Sequence, residues 1–244
     1  MIIDMLTNKY YAPILEILEY LQNKYNGNNK KILDIGPAII PFKGSTHLID
    51  INDWGIEYQV IKIDIDKDKI PFVDNYFDFV YCRHVLEDIQ NPDFAYNEIV
   101  RVSKAFYIET PSPFTEISRG IDAEDIFNLY NNNLYRGYIH HKHIVNVDHN
   151  TNEIIFLPKF PCIEYINFGE VENKIKENIL NNPIYWNSYY LCEDSKDAYN
   201  TKTYKHFFNF KLNEKDNYKN LIESQLNISL DSTNNFFNKY IFNK

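Results

Sequence analysis

The sequence predicts an α/β domain built on a mainly parallel sheet. Three observations predict it. Short apolar runs recur at 32–35, 47–50, 59–63 and 77–82; helical periodicity lies before and after them; and Asp34, Asp50 and Asp64 sit at or just past the ends of the first three runs. With 244 residues, 44% of them hydrophobic, the chain can bury one such domain with additions, or a domain and a lobe.

The elements follow in order. Residues 8–24 place Ile14, Leu15, Leu18 and Leu21 at helical spacing, and Asn26-Gly27 breaks that helix. KKILDIGPAIIPF, Lys30 to Phe42, reads as a buried strand followed by a tight turn, and THLIDIND as a second strand closed by Asp50. Such a turn lets backbone N–H groups face a ligand, and a carboxylate one strand over can take both hydroxyls of a ribose; together they outline a nucleoside site. The connection from Asp34 to Asp50 is short and holds Pro37, Pro41 and Gly44, so its helix must be abbreviated or replaced by a turn. Asn91-Pro92 then starts a helix with Phe94, Ala95, Ile99 and Val102 inward, and residues 106–108 make a fifth strand.

Beyond Pro113 the pattern loosens. A short helix is expected over 121–135, a hairpin over 143–148 and 153–157 turning at His149-Asn150-Thr151-Asn152, and helices near 171–180 and 217–228. No internal repeat is found.

From Ile61 to Pro113 the chain carries Ile70-Pro71-Phe72, Phe77-Asp78, His84-Val85-Leu86-Glu87, Glu98 and Arg101-Val102 in that order. Order and spacing resemble the class I S-adenosylmethionine-dependent methyltransferases, closest to the small-molecule branch with an LPF, FD, HVLEH, E..RV pattern. The resemblance runs from about Lys30 to Pro113. It implies a Rossmann-like fold with a mainly parallel seven-stranded sheet and antiparallel last strands, for which the hairpin is the natural candidate. Residues 1–160 would form that domain with its N-terminal helix, and 161–244 a substrate-facing addition.

The resemblance also implies S-adenosylmethionine as cofactor and assigns its site. Asp34 ends the first strand beside the turn that carries the amino-acid part, Gly36 supplies the close backbone approach, and Pro37 and Ala38 line it. Here the chain departs from the family. D-x-G-x-G-x-G becomes Asp34, Gly36, Ala38, Ile40, so Ala38 adds a methyl group and Ile40 fills the third position, narrowing the pocket. Asp50 takes the ribose hydroxyls and Ile51 lies on the adenine face. For the adenine amino group, alternation from Ile61 and Ile63 favours Asp64, with Ile65 beside it, whereas counting back from Ile70 favours Asp66. Cys82, Arg83 and His84 come next to the sulfonium and the acceptor; for Cys82 a plain core role is as good a reading.

Methyl transfer is an in-line displacement in which the protein aligns the groups and, for a hydroxyl acceptor, removes a proton. His84 is the first candidate base, followed by Glu109 and His141. Glu87 and Asp88 read as capping or solvent-facing, Asp88 standing where the family commonly has His. Glu98 and Arg101, three apart on a helix, read as a surface ion pair. His141 and His143 could share a metal ion on one strand face, but no carboxylate or Cys stands at ligand spacing, so no metal is expected.

Composition excludes several classes. A net charge of −9 disfavours a nucleic-acid partner. Cys82, Cys162 and Cys192 are scattered, with neither zinc nor disulfide spacing. The N-terminus is a poor secretory signal and no long apolar run appears, so a cytoplasmic protein without a membrane partner is expected. Tyr185, Trp186, Tyr189, Tyr190, Phe207 and Phe208 suggest stacking on a sugar or glycan whose hydroxyl is methylated, the competing account being that they are core. ETPSP, Glu109 to Pro113, resembles a form found in family members associated with polysaccharide assembly. Two other readings compete: a non-catalytic binding protein with a degraded glycine turn, and a nicotinamide-dependent oxidoreductase, to which the IPF, FD and HVLE landmarks do not belong.

Overall fold

A computed structural model of the protein describes residues 13–53, 55, 59–121, 135–175, 179, 181–204 and 215–243. The chain divides into two compact units. The first comprises Met1–Thr110, Tyr189–Tyr199 and Phe236–Lys244, the second Pro111–Ser188 and Asn200–Asn235. The boundary expected at residue 160 falls inside the second unit.

The first unit is organised by β1 (Ile32–Ile35), β2 (His47–Asp50), β3 (Val60–Lys62), β4 (Phe79–Arg83) and β5 (Phe106–Pro111), with β8 (Asn187–Cys192) at one edge. The sheet order is β3-β2-β1-β4-β5-β8. The pairs β1/β2, β2/β3, β1/β4 and β4/β5 are all parallel. The chain enters at the middle, winds outward to β3 and returns to β4, so the order reverses between β1 and β4. In an open parallel sheet that reversal leaves a crevice past the carboxyl ends of the strands. β1, β4 and β5 are buried almost throughout, as strands covered on both faces must be.

No helix lies between β1 and β2, as the two prolines require. The N-terminal helix α1 (Leu15–Tyr25) buries Leu21 as expected, and Ile17 beside it; Ile14 and Leu18 are half-buried and Leu15 is exposed. Four residues beyond Leu21 on the same row, the half-buried Tyr25 stacks its ring on Phe79 at 4.0 Å.

Helix α2 (Pro92–Val102) has proline in its first turn and buries Ala95, Tyr96, Ile99 and Val102. It also buries Glu98, so the expected surface ion pair with Arg101 is something else. Glu98 Oε2 accepts the Ile70 N–H at 2.9 Å and the Arg101 guanidinium at 2.7 Å, while Arg101 donates to the Ile70 and Phe72 carbonyls, each at 2.8 Å. The pair clamps the Ile70-Pro71-Phe72 turn by its backbone, one N–H and two carbonyls, beside the turn's own Phe72 N–H to Ile70 carbonyl bond at 2.8 Å.

In the second unit β6 (His143–Asp148) and β7 (Glu153–Pro158) form the expected antiparallel hairpin. Two expectations are corrected here. Among the described residues the central sheet has six strands, and the hairpin belongs to a separate three-stranded sheet of order β6-β7-β9. The reason is the outer edge of β7, which pairs in parallel with β9 (Asn200–Thr203), while β8 is the neighbour of β5. Helix α3 (Pro113–Ile117) starts at Ser112, whose side chain accepts the Thr115 N–H. Helix α4 spans Glu170–Lys174 and α5 Lys215–Phe237, longer than the 217–228 expected. Residues 122–134, where a helix was expected, lie outside the described residues. No helix among the described residues is long and apolar enough to cross a membrane.

Candidate functional site

The carboxyl ends of β1 and β2 bring the first group of predicted residues together. Gly36 follows β1 with φ +70° and donates its N–H to the Ile49 carbonyl at 2.9 Å, which places the turn directly against Asp50. A side chain at Gly36 is excluded twice over: the backbone is left-handed, and a Cβ would lie 2.4 Å from Val85 Cγ2. The other end of the loop is tied by Asp34, whose buried Oδ2 accepts the Phe42 N–H at 2.6 Å. The Phe42 ring in turn stacks on Tyr81 at 4.6 Å. Asp34 is therefore the strut of this loop. Burial pushes its carboxyl up to about 7; the Phe42 N–H opposes the rise and the Asp50 charge adds to it.

Pro37 and Ala38 continue the turn, and the Ile40 N–H closes it on the Pro37 carbonyl at 3.1 Å. Ala38 sits at φ +47°, which explains why glycine suits this position: conformation sets the demand there, in addition to space. Ile40 is 59% exposed, so it does not fill the pocket as its size suggested.

Asp50 ends β2 partly exposed, with Oδ1 oriented by the Asn52 N–H at 2.8 Å, and Ile51 beside it is 53% exposed. A carboxylate held at a strand end next to an accessible apolar surface fits a ribose and its base. Asp64 and Asp66 share one turn. Asp64 Oδ1 accepts the Asp66 N–H and its other oxygen pairs with Lys67 at 2.8 Å. Asp66 receives the Gln90 N–H at 3.0 Å and the Asn91 N–H at 2.7 Å, anchoring the approach to α2. Ile65, between them, is buried.

The ends of β4 and β5 hold a second group. Cys82 is buried, and burial pushes its thiol well above the ordinary range, so it is no thiolate. Arg83 and Glu109 are register partners, and Arg83 Nε donates to Glu109 Oε1 at 2.8 Å. Glu109 Oε2 accepts from the Tyr107 hydroxyl at 2.6 Å. His84 has φ +54°; its Nδ1 lies 3.2 Å from Glu87 Oε1 and its Nε2 3.9 Å from Glu109 Oε1. Glu87, read from sequence as capping or solvent-facing, is 1% exposed.

The third candidate, His141, belongs to the second unit. Its Nδ1 lies 2.6 Å from Glu116 Oε1, and Glu116 Oε2 accepts from Lys159 Nζ at 2.6 Å. His143 begins β6 with its ring against Phe156. Two participants escaped the sequence reading: Tyr107 and Glu116. Tyr107 stands two residues before Glu109 on β5, so strand alternation alone puts both on one face and was a usable signal. Glu116 carried none, since Lys159 is distant in sequence.

The tail aromatics within the described residues are core. Trp186, Tyr189 and Tyr190 are buried, with Tyr189 stacked on Phe236 at 5.3 Å and Tyr190 on Tyr199 at 4.3 Å. Phe207 and Phe208 lie outside the described residues.

Comparison with known proteins bears on this arrangement. The profile of a family described as methyltransferase domain matches residues 33–105. Among solved structures, an S-adenosylmethionine-dependent methyltransferase from Mesorhizobium loti aligns at 17% identity and TM-score 0.35, covering 42% of this chain and 55% of that one. A SAM-dependent methyltransferase from Aquifex aeolicus aligns at 19% identity and TM-score 0.32, covering 41% and 67%. The chain thus spans about half the length of the former. No curated protein matches the sequence. The segment 33–105, which spans β1 to β4 and α2, is thus similar to a methyltransferase domain.

Proposed function

We propose that the protein is an S-adenosylmethionine-dependent methyltransferase acting on a small molecule, through a hydroxyl of sugar or glycan type. The observation that carries the reading is the juxtaposition of the Gly36 turn with Asp50 at the reversal point of the sheet. In this reading Asp50 holds the ribose, Ile51 faces the adenine, the Gly36-Pro37-Ala38 turn borders the amino-acid part, and Asp34 keeps that turn in place. Asp64, Ile65 and Asp66 border the adenine edge, and Cys82, Arg83 and His84 the reacting end. The bound cofactor supplies a methyl group already activated by a positive sulfur.

What remains for the chain is alignment, exclusion of water and removal of one proton. His84 takes that role, since it alone of the three candidates combines a titratable ring with a place directly after β4. Glu109 has both oxygens engaged by Arg83 and Tyr107, which makes it a holder of this corner rather than a base. His141, held on Glu116, belongs to the second unit and is not used in this reading. The sugar-type acceptor is supported by the acidic net charge of −9, which disfavours polyanions, and no longer by the tail aromatics, which are core.

The test is in two stages. S-adenosylhomocysteine should raise the melting temperature, because a ligand of the folded state must stabilise it; then labelled methyl should pass to a panel of sugars. No stabilisation at millimolar ligand rejects the reading. Stabilisation without transfer to any hydroxyl compound favours the binding-only alternative, whose ground is a turn with Ala38 and Ile40 in place of two glycines.

A further inference from the structure

His84 adopts a left-handed backbone, φ +54°, that is unfavourable for a non-glycine residue, and such strain persists only where the surroundings over-determine it. The surroundings here are named. The His84 N–H is bonded to the Glu109 carbonyl at 2.9 Å, and the Asp88 N–H closes a turn on the Val85 carbonyl at 3.1 Å. That turn brings Glu87 back onto the ring three residues earlier, with Oε1 3.2 Å from Nδ1. On the other side Glu109 Oε1 lies 3.9 Å from Nε2, itself fixed by Arg83. The ring thus lies between two carboxylates that are 1% and 2% exposed.

An ionised carboxylate can only accept a hydrogen bond, so its pairing with Nδ1 requires that nitrogen to carry the hydrogen. The lone pair of the neutral ring is then on Nε2. We propose that Glu87 is a positioning residue that holds His84 in the Nδ1–H tautomer, making Nε2 the atom that takes the proton of the acceptor hydroxyl. In that step the acceptor oxygen forms its bond to the methyl carbon, the carbon–sulfur bond breaks with its electron pair going to sulfur, and the O–H proton moves to Nε2. The imidazolium so formed lies between Glu87 and Glu109, and returns its proton to solvent. The proposal rests on the methyl-transfer reading above.

The experiment is 15N NMR of histidine-labelled full-length protein at a pH where the ring is neutral. The chain has seven histidines, and His84→Gln identifies the resonance by its loss. The expected result is a protonated Nδ1 and an unprotonated Nε2, the tautomer that the free histidine side chain does not prefer. Glu87→Gln should move the population toward Nε2–H, with Glu87→Asp between the two. A wild-type His84 carrying its hydrogen on Nε2 overturns the proposal, as does an unmoved population in a folded Glu87→Gln protein. If that variant does not fold, the wild-type spectrum decides alone. Absence of stabilisation by S-adenosylhomocysteine removes the methyl-transfer reading and the catalytic sense of the tautomer with it. The wrong tautomer in a protein that does bind the ligand removes only the role of Glu87.

Discussion

Asp34 and Phe42 close the first loop from within: the carboxylate of β1 accepts the Phe42 N–H at 2.6 Å beneath the turn that carries Gly36. A loop without the second and third glycines of its family keeps its shape through this bond. The same burial makes Asp34 titrate at about 7, against 3.8 for the ordinary carboxyl. Its folded-state value is raised, so its contribution to stability is complete below about pH 4 and is lost as pH rises toward 7. Asp34→Asn keeps an acceptor for Phe42 and removes the titration. Urea unfolding across this range should show the variant gaining on the wild type as pH rises, by at most about 1.4 kcal/mol per pH unit. Parallel stability curves would show that Asp34 is ionised throughout.

Gly36 and Val85 are coupled by space. Gly36→Ala should destabilise the protein by about 2 kcal/mol, from left-handed backbone and from overlap with Val85 Cγ2 at 2.4 Å. Adding Val85→Ala should recover part of that loss, the conformational part remaining. A double-mutant cycle from thermal unfolding measures the coupling; purely additive effects would mean that the loop moves away from Val85.

Asp50→Ala should weaken binding of S-adenosylhomocysteine by about 2 kcal/mol, roughly thirtyfold, through loss of a charge-assisted acceptor. Calorimetry reads this directly. Unchanged affinity would remove Asp50 from the ribose.

In the second unit, Glu116 is fully buried between His141 and Lys159. Burial pushes its carboxyl up, but the Lys159 and His141 charges outweigh that and hold it below the ordinary value of 4.5. Its stabilising contribution is therefore present above pH 4.5 and is lost as pH falls through the lower folded value. Glu116→Gln leaves the Lys159 ammonium buried without its counter-charge and should cost about 3–5 kcal/mol near neutral pH. A denaturant midpoint within error of the wild type would show that Lys159 finds water instead. Gly137→Ala should act on the same spot, because its Cβ would lie 2.7 Å from the Glu116 Cα.

Much of the strand layout is legible in the sequence. β1 and β2 coincide with their predicted spans and the hairpin strands nearly so, because strand signals there are local: apolar runs, prolines that forbid a helix, and a four-residue turn. The carboxylates at strand ends were legible for the same reason. The rest has a different cause. Glu98 and Arg101 read as a surface pair in the sequence because their bond partner, the Ile70-Pro71-Phe72 turn, lies some thirty positions earlier in the chain. For the tail aromatics the sequence leaves both accounts standing, ligand stacking and core, because hydropathy does not say whether a ring meets a ligand or another ring; Trp186, Tyr189 and Tyr190 are core.

By itself the amino-acid order determined the mainly parallel sheet, the turn at Gly36, the acid at the end of β2 and the landmarks that tie residues 33–105 to a methyltransferase domain. Only the tertiary structure decided which row of α1 is buried, that the hairpin pairs with β9, and that Glu87, Arg83 and Tyr107 gather on His84 and Glu109. The division is physical. Periodicity and turn chemistry act between near neighbours, whereas register and burial are set when distant segments meet, and no local preference encodes that encounter.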